Sequence, residues 1–207
     1  MSSNLAGFHA PIRYGRTLTY ALFDLCLHPE YLEPLRQEIH DNCTEEDGLV
    51  SDADLLLLDS FLKESSRLNG SETISLRRKA LKNFNFSDGA HITAGDSVCV
   101  PLRAMGRDPA HFNDAHTFDG FRFAPKPGAR RGIKYTENSP LYPYWGYGKE
   151  SCPGRFYAAV AIKTTLVYML RNYDFKLADE TAPRTFSWRT TIIPRSSTKL
   201  LIRRREV

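Results

Sequence analysis

The chain has 207 residues and a mass of 23.5 kDa, enough for one domain with a hydrophobic core or for a large piece of a bigger domain. Hydrophobic residues make up 42% of the chain and charged residues 25%, which is the balance of a soluble globular protein and argues against a disordered one. The net charge is +4, and we interpret the basic run at residues 203–205 as a solvated tail, with no nucleic-acid partner expected.

Four cysteines stand at positions 26, 43, 99 and 152. They have neither a CxxC spacing nor the arrangement of a disulfide framework, so we predict a reducing, cytoplasmic location. No stretch approaches about 18 uninterrupted apolar residues, and the N-terminus lacks the apolar run of a secretory signal. We therefore expect no transmembrane segment in this chain.

The first third of the chain is predicted to be helical. Residues 1–16 contain one proline and two glycines, which predict an irregular start. A helix is predicted from Thr17, a second one after Pro29, and a third from an N-cap at Asp52 to Leu68. The apolar residues at helical spacing, expected to face inward, are Leu18, Leu22, Leu25, Leu32, Leu35, Ile39, Leu55, Leu58, Phe61 and Leu62.

The rest of the chain mixes strands, an irregular stretch and one long helix. Residues 71–102 are typical of short strands with turns, and residues 106–144 predict a long irregular segment of the kind that is usually functional. A helix is predicted over residues 154–172, and residues 185–192 and 198–204 are predicted to pair as a β-hairpin. The expected apolar face of that helix consists of Phe156, Val160, Leu166, Val167 and Leu170.

A lone cysteine marks the sequence "WGYGKESCPGRF", which covers residues 145–156. Cys152 follows two glycines and immediately precedes a predicted helix N-terminus, where a thiolate is favoured. Glycines let the backbone approach a flat ligand closely. A nucleophilic cysteine with a histidine base and a thiolate metal ligand both fit this arrangement, and a small buried hydrophobic residue is the third possibility.

The spacing Trp145-x-x-Gly148-x-x-x-Cys152-x-Gly154 resembles the heme-binding loop of the cytochrome P450 family, whose usual form starts with Phe. The resemblance is strongest to fungal members. It implies that Cys152 is the proximal ligand of the iron of heme b, within a heme-binding loop at about residues 144–156. Trp145, Gly148 and Gly154 would be the other residues of the loop that contact the cofactor.

Two further segments resemble motifs of the same family. "KESSRL" supplies Glu64-x-x-Arg67, similar to the ExxR motif, and "FDGFRF" places Arg122 where the family has an arginine. The resemblance implies that these three residues form a buried structural ion network. It also implies that Arg77 contacts a heme propionate. Glu150 departs from the family, which commonly has His or Arg there, so its carboxylate is expected to turn outward or to be neutralised.

The resemblance implies a mainly α fold with small β-sheets, with residues 1–207 forming one partial domain from the C-terminal portion of the cytochrome P450 fold. The N-terminal half, with the anchor, most of the substrate pocket and the oxygen-activating threonine stretch, would be absent, so we expect uncoupled turnover by this chain alone. The implied function is a monooxygenase that oxidises a small organic molecule, in fungal secondary metabolism, with electrons from an NADPH-dependent reductase. A truncated non-catalytic fragment or partner module, and a heme-thiolate isomerase or dehydratase, remain open, and no catalytic residue is assigned.

Overall fold

Helices and short strands alternate along the chain in the computed structural model, which describes residues 6–43, 54–126 and 132–206, with the backbone alone for 6–13. The helices are α1 (Ala6–Leu27), α2 (Leu32–Asn42), α3 (Leu56–Leu68), α4 (Leu102–Met105) and α5 (Arg155–Asn172). The strands are β1 (Ser75–Lys79), β2 (Phe84–Asn85), β3 (His91–Ile92), β4 (Ser97–Val100), β5 (Tyr173–Leu177), β6 (Thr185–Trp188), β7 (Thr191–Pro194) and β8 (Leu200–Arg204). None of the described helices is long and apolar enough to cross a membrane.

Helix α1 begins at Ala6, whereas the sequence predicts a start at Thr17. The expected irregular start at residues 1–16 is wrong for residues 6–16, because α1 runs from Ala6 through Pro11 and Gly15. A proline removes one backbone hydrogen bond from a helix, and the packing of the later turns outweighs that cost. In those turns Ala21 and Leu25 are fully buried in the main core.

Helix α3 lies at the centre of the described core. The four predicted core residues Leu55, Leu58, Phe61 and Leu62 are all fully buried, and the polar residues in the second half of the helix are buried as well. The predicted N-cap, Asp52, lies outside the described residues, and α3 begins at Leu56. Its first backbone N–H groups donate instead to the carboxylate of Glu38 on α2, at 2.6 and 2.9 Å.

Four antiparallel two-stranded sheets surround this core in the described residues, with the pairings β1–β4, β2–β3, β5–β8 and β6–β7. The predicted hairpin between residues 185–192 and 198–204 is wrong. The first segment folds back on itself, with Trp188 opposite Thr191, and the turn between them holds Arg189 at φ +54°. Strand β8 pairs instead with β5, the strand that directly follows α5. Hydrophobic spacing along the sequence does not reveal this neighbour.

The buried face of α5 differs in part from the predicted one. Leu166, Val167 and Leu170 are buried as expected, but Phe156 is 56% exposed, so its assignment to the core is wrong. The Phe156 ring lies at the surface, with the guanidinium of Arg155 4.2 Å from its centroid. The buried side of α5 consists of Ala159, Ile162, Lys163, Leu166, Val167 and Leu170.

Candidate functional site

The loop of residues 144–156 presents one exposed thiol. A single 3-10 turn, Gly148–Glu150, precedes Cys152, whose side chain is free and exposed. Gly146 and Gly148 have φ angles of +85° and +67°, which favour glycine. A Cβ atom at Gly146 would lie 3.0 Å from the carbonyl oxygen of Glu150, whereas one at Gly148 would meet nothing within 4 Å. The loop is therefore closely packed at its first glycine and open at its second.

Both backbone polar groups of Cys152, its N–H and its carbonyl oxygen, are hydrogen-bonded. Its N–H donates to the carbonyl oxygen of Trp145 at 2.6 Å, and the Nη1 of Arg155 donates to its carbonyl oxygen at 2.9 Å. Helix α5 begins at Arg155, so the thiol lies beside the positive end of an 18-residue helix dipole. A Cβ atom at Gly154 would lie 4.0 Å from the Cys152 sulfur. The main chain is fixed, and the sulfur stays accessible.

Trp145 attaches the loop to the core. Its indole is half-buried, and its Nε1 donates to the carbonyl oxygen of Tyr135 at 3.0 Å. The indole also meets the rings of Tyr135 and Tyr144 edge to face, with centroids 5.2 Å apart in each pair. Its backbone N–H donates to Asn138 Oδ1 at 3.2 Å. These contacts fix one end of the loop, and the contact of Trp145 with a cofactor stays a prediction.

Two buried tyrosines, Tyr135 and Tyr142, connect the segment before the cysteine loop to α3. The hydroxyls of Tyr135 and Ser66 are 2.9 Å apart, and the hydroxyl of Tyr142 donates to the carbonyl oxygen of Lys63 at 3.0 Å. Lys63 Nζ in turn donates to the carbonyl oxygen of Glu137 at 2.5 Å and lies 4.0 Å from the Tyr142 ring centroid. Burial lowers the pKa of Lys63 to about 8. The segment before the cysteine loop is thus bonded directly to α3.

A fully buried carboxylate, Glu64, lies in the same C-terminal half of α3. Arg67 makes a bidentate pair with Glu64, with Nε and Nη2 each donating at 2.7 Å. Arg122 Nε donates to both oxygens of Glu64 at 3.2 Å, and the backbone N–H of Asp119 adds a bond of 2.9 Å. The side chains of Glu64 and Arg67 are 0% exposed, and that of Arg122 is 13% exposed. The structure therefore brings together the three residues of the expected ion network.

The two arginines also bind the irregular stretch that follows α4. Arg67 Nη1 donates to the carbonyl oxygens of Gly106 and Ala115. Arg67 and Arg122 both donate to the carbonyl oxygen of Thr117, at 3.3 and 3.1 Å. A buried carboxylate is tolerated only with partners of this kind. Here the partners also satisfy backbone carbonyls, so the network holds an otherwise irregular segment against α3.

Arg77 and Glu150 lie apart from this network. Arg77, on β1, donates from Nη2 to Thr190 Oγ1 at 2.8 Å and lies 3.4 Å from a carboxylate oxygen of Glu72. None of the hydrogen bonds described for it reaches the cysteine loop, so its contact with a propionate stays a prediction. Glu150 is exposed on the 3-10 turn Gly148–Glu150.

Sequence reasoning missed three buried ionisable residues. Asp59 on α3 and Lys163 on α5 form an ion pair at 3.1 Å, with side chains only 3% and 9% exposed. The signal was present, since Lys163 falls in the middle of the predicted apolar face of α5. Asp24 on α1 accepts a hydrogen bond of 2.9 Å from Asn69, and burial raises the pKa of Asp24 to about 7. A pattern that assigns charged residues to the surface overlooks all three.

Comparison with known proteins identifies the family. The family profile "Cytochrome P450" matches residues 15–202. Cytochrome P450 monooxygenase 151 of Postia placenta is 38% identical over 100% of this chain and 42% of its own length. Cytochrome P450 monooxygenase paxP of Penicillium paxilli is 37% identical over 91% of the chain and 37% of its length, and the ent-kaurene oxidase of Gibberella intermedia is 36% identical over 99% and 40%. The chain thus spans about two-fifths of the length of these curated relatives, and it belongs to the cytochrome P450 family.

Proposed function

We propose that this chain forms the cysteine-ligand portion of a heme-thiolate monooxygenase, corresponding to the C-terminal part of the fold. The observation that carries the proposal is the exposed sulfur of Cys152, whose backbone is bonded on both sides while the sulfur stays accessible. A buried structural cysteine would have the opposite exposure. The family membership supports the same assignment.

The residues of this chain fit the heme iron that the family implies. A thiolate is one of the axial ligands that heme iron takes from proteins, and Cys152 offers an exposed thiol at a helix N-terminus. Gly148 has open space where a side chain would project, so a flat ring can approach the backbone there. The buried pair Glu64 and Arg67 holds the neighbouring irregular segment in place.

When bound, heme iron supplies the activation of dioxygen that a monooxygenase needs, with electrons from an NADPH-dependent reductase. Cys152 would hold the iron, and the positive end of the α5 dipole would stabilise its thiolate. Trp145 would keep the loop in register through its bond to the Tyr135 carbonyl oxygen. Arg77 would neutralise a propionate, and Glu150 would stay solvated.

We propose a small organic molecule as substrate and fungal secondary metabolism as the setting. The names of the relatives support this, since one is an ent-kaurene oxidase and others are monooxygenases of filamentous fungi. Each of these relatives is more than twice as long as the segment that matches this chain. The activity, the substrate and the reductase are therefore proposals for the whole protein. The predicted cytoplasmic location stays a prediction.

The ligand assignment is tested by the absorption spectrum of the purified chain, loaded with hemin, reduced and exposed to carbon monoxide. We expect the Soret band of a thiolate complex in the wild type and its loss in Cys152→Ser. The matched control is Cys99→Ser, because Cys99 is also a free and exposed cysteine, on β4. A thiolate band that survives in Cys152→Ser, or a wild-type chain that takes up no heme, would contradict the proposal.

A further inference from the structure

A buried ion pair joins the helix that follows the cysteine loop to the helix that carries the ion network. Lys163 Nζ on α5 lies 3.1 Å from Asp59 Oδ1 on α3, and both side chains are at least nine-tenths buried. The second oxygen of Asp59, Oδ2, has no hydrogen-bond partner among the described residues. Lys163 is therefore the direct ion-pair partner of Asp59, and the buried Lys63 adds a further electrostatic attraction.

Each partner is coupled through its own helix to a part of the candidate site. Glu64 comes five residues after Asp59 on α3. Lys163 comes eight residues after Arg155, which places it about 12 Å further along α5 at a rise of about 1.5 Å per residue. Arg155 donates to the carbonyl oxygen of Cys152. A shift of α5 along its axis therefore moves Cys152 with it.

The other buried side chains on this part of α5 are apolar. Ile162 and Leu166 are 1% and 0% exposed and belong to the main core. Apolar packing stabilises a helix without fixing one direction of contact, since the hydrophobic effect is non-directional. An ion pair with a short N–O distance does fix a direction and a register. The pair at Asp59 and Lys163 supplies that constraint between α3 and α5.

We propose that Asp59 and Lys163 are positioning residues, which set the placement of α5 relative to α3 and thereby the placement of the Cys152 sulfur. This inference rests on the proposed role of Cys152 as the heme ligand. A role in stability alone is the competing explanation. The two are separable, because replacing both members of a buried ion pair with apolar residues of similar volume often leaves stability unchanged or raises it.

The test compares Lys163→Met with the double variant Asp59→Leu, Lys163→Met. Two quantities are measured: the melting temperature, and the share of the reduced carbon monoxide complex that has the thiolate band. The single variant is expected to lower both, since it leaves the buried Asp59 carboxylate without its direct ion-pair partner. The double variant is expected to recover the wild-type melting temperature. Its thiolate share is expected to stay about twofold or more below that of the wild type, because the ion pair that positions α5 is lost. A double variant with the wild-type share would overturn the proposal.

Two further variants keep the test decisive if the double variant does not fold. Lys163→Arg preserves the charge and is expected to retain more of the thiolate share than Lys163→Met; equal losses in the two would refute a positioning role for the charge. The control is Asp54→Asn, which removes the largely exposed partner of Lys134 and should change neither quantity. A wild-type chain without any thiolate band would refute the proposed function and this inference together, whereas an unchanged band in the variants refutes the inference alone.

Discussion

Neutralising Glu64 should destabilise the chain strongly, because this carboxylate is the shared partner of two arginines. Glu64→Gln keeps the size of the side chain and removes its charge. The Gln amide can accept some of the hydrogen bonds that Arg67, Arg122 and the Asp119 backbone now donate. It cannot compensate two guanidinium charges, and its NH2 group would face donors.

The burial of the partners sets the magnitude. Arg67 is 0% exposed and cannot lose its proton, and Arg122 is 13% exposed. Removing one partner from a buried ion pair costs about 3–5 kcal/mol, since it leaves an uncompensated buried charge. For a chain of this size 1 kcal/mol corresponds to about 2–4 °C in melting temperature. We therefore expect a decrease of about 6–20 °C.

The assay is thermal unfolding followed by circular dichroism, with Glu33→Gln as the matched control. Glu33 and Arg36 on α2 form an i,i+3 ion pair at 2.8 Å, with the same spacing as Glu64 and Arg67, but Glu33 is 78% exposed. The control should change the melting temperature by less than about 2 °C. Equal shifts in the two variants would refute the reasoning, because burial would then not decide the energy of the pair.

Two predictions concern pH. The pKa of Asp24 is about 7 in the folded chain and about 3.8 in the unfolded chain, so the folded state binds the proton more tightly. The free energy of unfolding should therefore fall between pH 4 and 7, by up to about 4 kcal/mol. In Asp24→Asn the midpoint of urea unfolding should vary less with pH across this window. Lys63 has the opposite sign: its folded pKa of about 8 lies below the ordinary 10.5, so its contribution to stability should rise from pH 8 to 10.5, and Lys63→Met should abolish that rise in the same urea measurement. Wild-type and variant profiles that run parallel within either window would contradict the respective prediction.

Local features of the chain could be predicted because their causes are local. The spacing of Leu58, Phe61 and Leu62 predicts one buried helix face, and all three are fully buried. The glycines and the proline around Cys152 predict a turn before a helix, and the structure has that turn and a helix from Arg155. A helix period and a glycine-rich turn depend on neighbours within a few residues, which the sequence contains in full.

Features that depend on distant partners could not be predicted. The pairing of β8 with β5 joins residues 23 to 31 positions apart, and no local signal distinguishes β5 from β6 as the neighbour of β8. Helix α1 continues through Pro11 because its later turns are buried against the core. Phe156 lies on the same face of α5 as the buried Ala159 and Lys163, three and seven residues further on, yet it is exposed in the first turn of the helix, which the helix period does not reveal.

The two Glu-x-x-Arg pairs show where the limit lies. By itself the sequence determines that Glu33 and Arg36, and likewise Glu64 and Arg67, meet on one side of a helix, because residues three apart are neighbours there. Only the tertiary structure decides that the first carboxylate is solvated and the second is fully buried beneath Arg122. The physical reason is the dielectric surroundings: water screens the exposed Glu33 carboxylate, whereas burial makes each charge of the other pair depend on its partners.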